Sequence, residues 1–187
     1  MKTLITTIAL LIAVCFPTQR ATARPVQVML SFDTERNGDV EALRTLDLGV
    51  PATYFITGKF AEENREFVAG LARGGNTIGS HSYSHPHLTG LSREELESEM
   101  RKAKQTLESI TGTPVVWFRA PYMEYNDEVM QSLKKMGFMY DSSDQDRWQR
   151  QDVLYEVPVS SFMSGTMIAS DYDLLYKHEA TAAQFEG

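Results

Sequence analysis

The sequence contains a single cysteine, Cys15, and it lies in an N-terminal segment that is expected to be removed. An apolar run from Leu4 to Val14, followed by the cleavage-site pattern Ala21-Thr22-Ala23, predicts a signal peptide over residues 1–23. The domain of residues 24–187 would then be secreted or periplasmic. Because that domain would contain no cysteine, a fold that depends on disulfides is excluded.

A hydrophobic run long enough to cross a bilayer is also missing. Such a helix needs about 20 apolar residues, and the run from Leu4 to Val14 is shorter. An uncleaved membrane anchor is therefore the less favoured interpretation of this segment. Lipidation of Cys15 is a further alternative, which its neighbours Val14 and Phe16 disfavour. We expect no stable membrane insertion after signal cleavage.

The chain lacks an excess of basic residues. It has 18 basic and 25 acidic residues and a net charge of −7. Loss of Lys2 and Arg20 with the signal would leave 16 basic against 25 acidic residues, a net charge of −9. Since an acidic domain repels the phosphate backbone, nucleic acid is not expected as a partner. The sequence also has no repeats, low-complexity tracts or linkers, so we expect one domain.

Strand-like and helix-like segments alternate along the rest of the chain. This order predicts an α/β fold on a parallel sheet, either open or closed into a barrel. Strands are predicted at residues 26–32, 52–57, 77–79, 115–118, 138–140 and 156–159, and helices at residues 39–48, 61–72, 92–110 and 126–136. The helix of residues 92–110 has the clearest pattern, with Ser92 and Glu95 as a capping box and Gly112 after its end.

Three of the four histidines fall within seven residues, directly after the third predicted strand. Imidazole is the commonest protein ligand for a transition metal, and His81 and His85 are spaced so that both can reach one ion. Metal binding is therefore favoured over a polar surface loop. Because Pro86 breaks the spacing, His87 is expected at the surface or in a supporting role.

Other polar residues also follow predicted strands. The carboxyl ends of parallel strands meet on one rim of a sheet or barrel, where such folds place their sites. We therefore expect one site that gathers Asp33, His81, Arg119 and Asp141.

Four segments carry motifs that occur in a fixed order. They are Ser31-Phe32-Asp33-Thr34-Glu35, His81-Ser82-Tyr83-Ser84-His85, Arg119-Ala120-Pro121-Tyr122, and Tyr140-Asp141-Ser142-Ser143 with Asp146-Arg147-Trp148. Together they resemble the T-F-D-D, H-[ST]-x-x-H, R-x-P-[YF] and Asp-Trp motifs of polysaccharide deacetylases, the NodB-type carbohydrate esterases. The resemblance covers about residues 26–159. It implies a distorted (β/α) barrel in which a divalent metal helps to remove N- or O-acetyl groups from sugars.

Carried over residue by residue, the resemblance implies a catalytic centre. His81 and His85 would bind the metal, most commonly zinc, with cobalt, nickel or manganese as alternatives. Asp33 would be the general base for the attacking water, and Arg119 would orient Asp33. The backbone N–H of Tyr122 would help to stabilise the oxyanion.

The resemblance assigns further residues to the substrate and to the support of the site. Pro121 and the Tyr122 ring would contact the substrate, and Trp148 would form a wall against the methyl group or the sugar face. Either Asp141 or Asp146 would hold Arg119. For the residues of the last motif, a plain loop role is an equal alternative.

The first motif departs from the family pattern at the third metal ligand. The family has an aspartate after the base, where this chain has Thr34, whose hydroxyl is a poor zinc ligand. Glu35 is the natural substitute, because residues i and i+2 share one face of an extended strand. A degraded metal site is the alternative. Asp39 is a remote candidate that fits a helix start better.

The C-terminal part departs as well. The family ends on a strand with a Leu-x-His motif whose histidine is the general acid, and here His178 is the only candidate, with neighbours that do not fit. A closed barrel typically needs about 200 residues or more. We therefore expect that the last helix and strand of the fold are missing.

Three functions follow from these patterns. The favoured one is metal-dependent removal of acetyl groups from N-acetylglucosamine-type glycans, such as chitin oligomers, peptidoglycan or another acetylated polysaccharide. Thr34 and the absent terminal histidine support a second, a catalytically impaired glycan-binding module. Metal buffering by the histidines alone is the third. A glycosidase is disfavoured, because its pair of carboxylates needs no histidines.

Overall fold

Seven short strands form one sheet in this computed structural model, which describes residues 29–45, 49–144, 149–151 and 154–157. The sheet order is β1-β2-β3-β4-β5-β7-β6, and every neighbouring pair is parallel except β6 with β7. The strands are β1 (Ser31–Thr34), β2 (Thr53–Ile56), β3 (Thr77–Ser80), β4 (Trp117–Phe118), β5 (Tyr140–Asp141), β6 (Gln149–Gln151) and β7 (Leu154–Glu156). The predicted α/β class is confirmed.

Within the described ranges, five helices connect and cover the strands. They are α1 (Asn37–Thr45), α2 (Gly58–Glu63), α3 (Arg65–Arg73), α4 (Arg93–Thr111) and α5 (Asp127–Lys135), with single 3₁₀ turns at Leu88–Gly90 and Pro121–Met123. α4 begins as predicted, because Ser92 and Glu95 form both hydrogen bonds of the capping box. It ends at Thr111, and Gly112 after it takes the left-handed conformation with φ 70°.

The predicted helix of residues 61–72 is two helices. Thr57 caps the first, α2, through a hydrogen bond from Phe60 N to Thr57 Oγ1 of 3.4 Å. Asn64 separates the two, with φ −126° and ψ 39°. Its Nδ2 donates to Phe60 O at 3.0 Å, an alternative to regular helical bonding that asparagine commonly adopts.

The strand limits differ from the sequence prediction at both ends of the sheet. β1 extends through Thr34, so Asp33 lies within the strand and not after it. β6 was missed, because Gln149–Gln151 is a polar edge strand without an apolar pattern. Residues 26–28 and 158–159 of the predicted first and last strands are outside the described ranges.

The core lies between the sheet and the helices. α4 contributes an apolar stripe of Leu96, Met100, Ala103 and Leu107, which are all at most 1% exposed. Phe55, Phe118 and Phe138 fill the space on and beside the strands. A packed core of this kind holds the strand ends in fixed positions.

Several expectations fall on residues that the structure does not describe. They are the signal peptide of residues 1–23, Asp146, Trp148 and His178. Among the helices that are described, none is long and apolar enough to cross a membrane.

Candidate active site

The carboxyl ends of β1 and β4 bring Asp33 and Arg119 into direct contact. Their closest atoms, Asp33 Oδ1 and Arg119 Nη1, are 2.7 Å apart, although the residues are 86 positions apart in the sequence. Asp33 is the more accessible partner, with a side chain that is 40% exposed against 6% for Arg119. One carboxylate oxygen is therefore oriented by the guanidinium while the side chain as a whole reaches solvent.

Several elements hold the Arg119 guanidinium. Its Nε donates to Ser142 O at 3.0 Å, and its Nη2 donates to Ser142 Oγ at 3.0 Å and to Ser31 Oγ at 2.9 Å. Its Cζ lies 4.1 Å from the centre of the Phe55 ring, within cation–π distance. These contacts compensate the burial of the charge and give the planar group one orientation.

His81 is buried at the end of β3, and its ring orientation follows from its neighbour. His81 Nδ1 lies 2.8 Å from the backbone oxygen of Arg119. Because a carbonyl only accepts hydrogen bonds, a neutral His81 keeps its proton on Nδ1 and its lone pair on Nε2. Metal-binding histidines are commonly oriented in this way.

His85 contacts both other predicted metal ligands. Its Nε2 lies 3.1 Å from Glu35 Oε2, and its ring centre lies 4.9 Å from that of His81. Burial lowers the pKa of His85, and His81 adds to this effect, while Glu35 and Asp33 act in the opposite direction. A lowered pKa favours the neutral imidazole, which is the form that binds metal.

Glu35, His81 and His85 are the residues that would hold a metal. In the described part of the chain, no group of three His, Cys, Asp or Glu residues is already arranged around a metal position. The three are instead linked in pairs through His85. Two imidazole nitrogens and one carboxylate fit a first-row divalent metal such as zinc in chemical type.

Thr34 is buried, and Asp39 lies at the start of α1. Thr34 is fully buried, and within the described ranges its hydroxyl has no hydrogen-bond partner. The Asp39 carboxylate accepts from the N–H groups of Glu35 at 2.9 Å and Arg36 at 2.8 Å, so it holds the turn into α1. Asp39 is therefore part of the helix start.

Among the described residues, Asp141 makes no direct hydrogen bond to Arg119, although the Arg119 charge acts to lower the pKa of its carboxyl group. Adjacent residues of an extended chain point in opposite directions, and Ser142 is the one that contacts the guanidinium. Asp141 Oδ1 accepts from Ser143 Oγ at 2.6 Å, and Ser143 Oγ accepts from Ala120 N at 2.8 Å. Asp141 therefore reaches the segment after β4 through Ser143.

Glu156 is a buried acidic residue whose role the sequence did not indicate. Burial raises its pKa to about 9, and the neighbouring Asp141 adds to the shift. Burial also raises the pKa of Asp141. The pair therefore retains a proton at neutral pH. The sequence feature that could have indicated this residue is an acidic side chain at the start of the predicted strand of residues 156–159.

Pro121 and Tyr122 form a tight turn at the rim. Tyr122 has φ 59°, a conformation that is rare outside glycine and often marks functional turns. Its ring is 52% exposed and stacks on His87, with centres 4.0 Å apart. His87 Nδ1 lies 2.9 Å from Glu124 Oε2, which agrees with a surface or supporting role for His87.

A cavity of about 300 Å³ opens beside Glu35 and His85. This volume is at the lower end of the range for small-molecule pockets. The lining is mostly polar and is completed by Asn37, Thr57, Lys59, Phe60, Glu63 and Ser84.

Comparison with known proteins finds related sequences and structures. A model of the polysaccharide deacetylase family matches residues 20–140. The peptidoglycan-N-acetylglucosamine deacetylase of Bacillus cereus is 31% identical over 90 residues, which are 48% of this chain and 33% of that protein. The chitooligosaccharide deacetylase of Azorhizobium caulinodans is 34% identical over 87 residues, 46% of this chain and 41% of that protein. The chain thus spans less than half the length of these two relatives.

A solved structure shows the same fold. It is the family 4 carbohydrate esterase from Streptomyces lividans in complex with acetate, with a TM-score of 0.55 and 30% sequence identity. The match covers 65% of this chain and 62% of that one.

Proposed function

The chain belongs to the polysaccharide deacetylase family, and we propose that it is a metal-dependent hydrolase that releases acetate from N-acetylglucosamine-type glycans. Chitin oligomers and peptidoglycan are the favoured substrate classes, because relatives of the chain are deacetylases of these glycans. The single observation that carries the proposal is the 2.7 Å contact of Asp33 with Arg119 on the rim that also holds His81. The predicted signal peptide supports a site of action outside the cytoplasm.

Asp33 is the proposed general base. Arg119 holds Oδ1 of its carboxylate, so the other oxygen is placed to accept a proton from a water. That water attacks the acetyl carbonyl carbon, and the C–N bond then breaks. Acetate is released, and the amine of the sugar takes up a proton. His178, which the structure does not describe, stays the sequence's candidate for the group that protonates the amine.

Glu35, His81 and His85 are the proposed metal ligands. Zinc fits them best, with cobalt, nickel or manganese as alternatives. A divalent cation bound there would lower the pKa of water and polarise the acetyl carbonyl. The lone pair on His81 Nε2 and the lowered pKa of His85 support this assignment.

The turn after β4 is proposed to bind the reacting acetyl group. The backbone N–H of Tyr122 would donate to the oxyanion. Pro121, the exposed Tyr122 ring and Trp148 would contact the substrate. Asp141 would stabilise this turn indirectly, because it binds the Ser143 hydroxyl that accepts from Ala120 N.

The proposal is tested by measuring acetate released from N-acetylated chitooligosaccharides and from peptidoglycan fragments. We expect a chelator to abolish release and added zinc or cobalt to restore it. Asp33→Asn should keep the metal and lower turnover about 10²–10⁴-fold, the usual contribution of a general base. His81→Ala should lose the metal.

Asp127→Asn is the matched control, because Asp127 is an exposed carboxylate in the first turn of α5 and is not among the proposed site residues. It should leave turnover and metal content unchanged. Full turnover by Asp33→Asn would show that the base is assigned to the wrong residue.

A second candidate is a glycan-binding module without turnover. Thr34, which replaces the family's acidic ligand and is buried, favours it. If the protein is such a module, it should bind the same glycans. It should show no chelator-sensitive release of acetate.

A further inference from the structure

One carboxylate of α4 binds the middle of the histidine loop, residues 81–85. Glu99 Oε2 accepts from the backbone N–H groups of Tyr83 at 3.1 Å and Ser84 at 2.9 Å. Glu99 Oε1 accepts from Ser84 Oγ at 2.7 Å. All three donors lie between the two proposed metal ligands in the sequence. A single side chain therefore restrains the segment that carries both imidazoles.

The other side of the loop is bound by the start of α2. Gly58 N donates to Ser82 O at 3.0 Å, and Lys59 N donates to Tyr83 O at 2.9 Å. A Cβ atom at Gly58 would overlap the Tyr83 ring, so glycine is needed for this close approach. The loop thus binds α2 through its carbonyls and Glu99 through its N–H groups.

The loop has a backbone shape that needs support. Ser82 and His85 both have φ 62°, in the left-handed region that residues with side chains rarely adopt. Such conformations persist only where the surroundings hold them. Within the loop, His85 N donates to Ser82 Oγ at 3.1 Å. Because the turn at His85 sets the direction of its ring, the contacts that hold the turn also aim the imidazole.

The Tyr83 side chain is held independently of Glu99. Its hydroxyl donates to Glu62 Oε2 at 2.7 Å, and Lys102 Nζ lies 3.5 Å from the centre of its ring. These contacts and those of α2 would keep the loop docked if Glu99 were removed. A change at Glu99 is therefore expected to alter the loop's exact shape without unfolding it.

We propose that Glu99 is a positioning residue for the metal ligands His81 and His85. This inference rests on the proposed function, because it concerns the same metal site. Glu99 holds the backbone between the two histidines so that His85 faces Glu35 and stays beside His81. Loss of a group that orients a metal ligand typically weakens metal affinity about 10–100-fold.

The experiment measures the Kd of the full chain for Zn²⁺ by competition with a chromophoric chelator. Glu99→Ala, which removes the acceptor, should raise the Kd about 10–100-fold. Glu99→Gln keeps an acceptor oxygen at the same reach and should raise it less than Glu99→Ala does. Ser84→Ala, which removes one of the three donors, should also have the smaller effect.

The visible spectrum of the Co²⁺-loaded chain provides a readout that a general loss of stability does not change. Recorded well below the unfolding temperature, the ligand-field bands of Glu99→Ala should differ from those of the unaltered chain. Glu97→Ala is the matched control, because Glu97 is on the same helix and contacts Lys135 and Arg101 instead of the loop. It should leave the Kd and the spectrum unchanged.

The outcomes separate the two proposals. Suppose that the unaltered chain binds Zn²⁺ and that Glu99→Ala gives the same Kd and the same Co²⁺ spectrum. Glu99 then does not position the metal ligands, and the proposed function still stands. If the unaltered chain binds none of Zn²⁺, Co²⁺, Ni²⁺ and Mn²⁺, both proposals are overturned.

Discussion

The two halves of the site are supported by different kinds of interaction. The histidine loop is held from outside by backbone hydrogen bonds to α2 and by the partly exposed Glu99. Asp33 and Arg119 are held from inside by buried side chains at the end of β5. Backbone hydrogen bonds contain no titratable group, whereas burial raises the pKa of the Glu156 carboxyl beside Asp141 to about 9. A rise in pH should therefore act on the Asp33–Arg119 half through its support.

The inner support is a short chain of contacts. Glu156 lies beside Asp141, Asp141 accepts from Ser143, and Ser143 accepts from the N–H of Ala120, the residue after Arg119. Ser142, between the two links, binds the guanidinium itself. The Arg119 side chain and the backbone N–H of Ala120 thus both depend on the segment after β5.

The largest expected effect is on the pH dependence of stability. The pKa of Glu156 is about 9 in the folded chain against an ordinary value of 4.5. Between these pH values the folded state holds a proton that the unfolded chain has lost, so the free energy of unfolding should fall as pH rises. The slope is up to about 1.4 kcal/mol per pH unit for one proton. Denaturant unfolding across this range measures it, and Glu156→Gln should flatten the profile.

Glu97→Gln is the control for this measurement. Glu97 is partly buried, and its hydrogen bond with Lys135 lowers its pKa. Stability gained from a lowered pKa is lost only as pH falls below the ordinary value, so this change should not alter the slope at higher pH. A stability profile that is flat from pH 4.5 to 9 in the unaltered chain would contradict a protonated Glu156.

The next largest effect is expected at Arg119. Lysine carries its charge on one nitrogen and cannot reach Asp33, Ser31 and Ser142 together as the guanidinium does. Arg119→Lys should therefore lower kcat/KM for acetate release about 100-fold, the effect of displacing a catalytic group by about 1 Å.

A conservative change elsewhere provides the comparison for Arg119→Lys. Arg93 makes an exposed ion pair with Glu128 at 3.1 Å, and Arg93→Lys should leave kcat/KM unchanged. Equal activity of the two variants would mean that the guanidinium contacts do not orient Asp33.

The smallest effect is expected at Ser143. Ser143→Ala leaves buried Asp141 Oδ1 and Ala120 N without this partner and should lower the free energy of unfolding by about 1–3 kcal/mol. Ser98→Ala, at an exposed position of α4, should change it by less than about 0.5 kcal/mol. If both variants unfold at the same denaturant concentration, the Asp141–Ser143 link does not support the fold.

Much of the fold could be predicted because its signals are local. The capping box at Ser92, the apolar stripe of α4 and the glycine at its end all lie within one continuous segment. The alternation of strands and helices then placed the polar residues on one rim, where the contact of Asp33 with Arg119 lies. The edge strand β6 and the break at Asn64 were missed, because a polar edge and a side-chain hydrogen bond leave no periodic pattern.

The support of the site could not be predicted in the same way. Glu99 reaches the histidine loop across 15 and 16 positions of the sequence, and Arg119 reaches Ser142 across 23. In the sequence, Glu99 is one of several acidic residues on a helix, and Ser142 is a small polar residue beside Asp141. Their roles become visible only when packing brings distant segments into contact.

By itself, the sequence determined the kinds of chemical group available to this protein and the strand ends that carry them, because periodicity and motif order are properties of neighbouring residues. The tertiary structure alone decided which partner each group has: Arg119 binds Ser142 and not Asp141, Glu156 keeps a proton, and Glu99 holds the histidine loop. The physical reason is that hydrogen-bond geometry and burial, which set orientation and pKa, depend on atoms that are far apart along the chain.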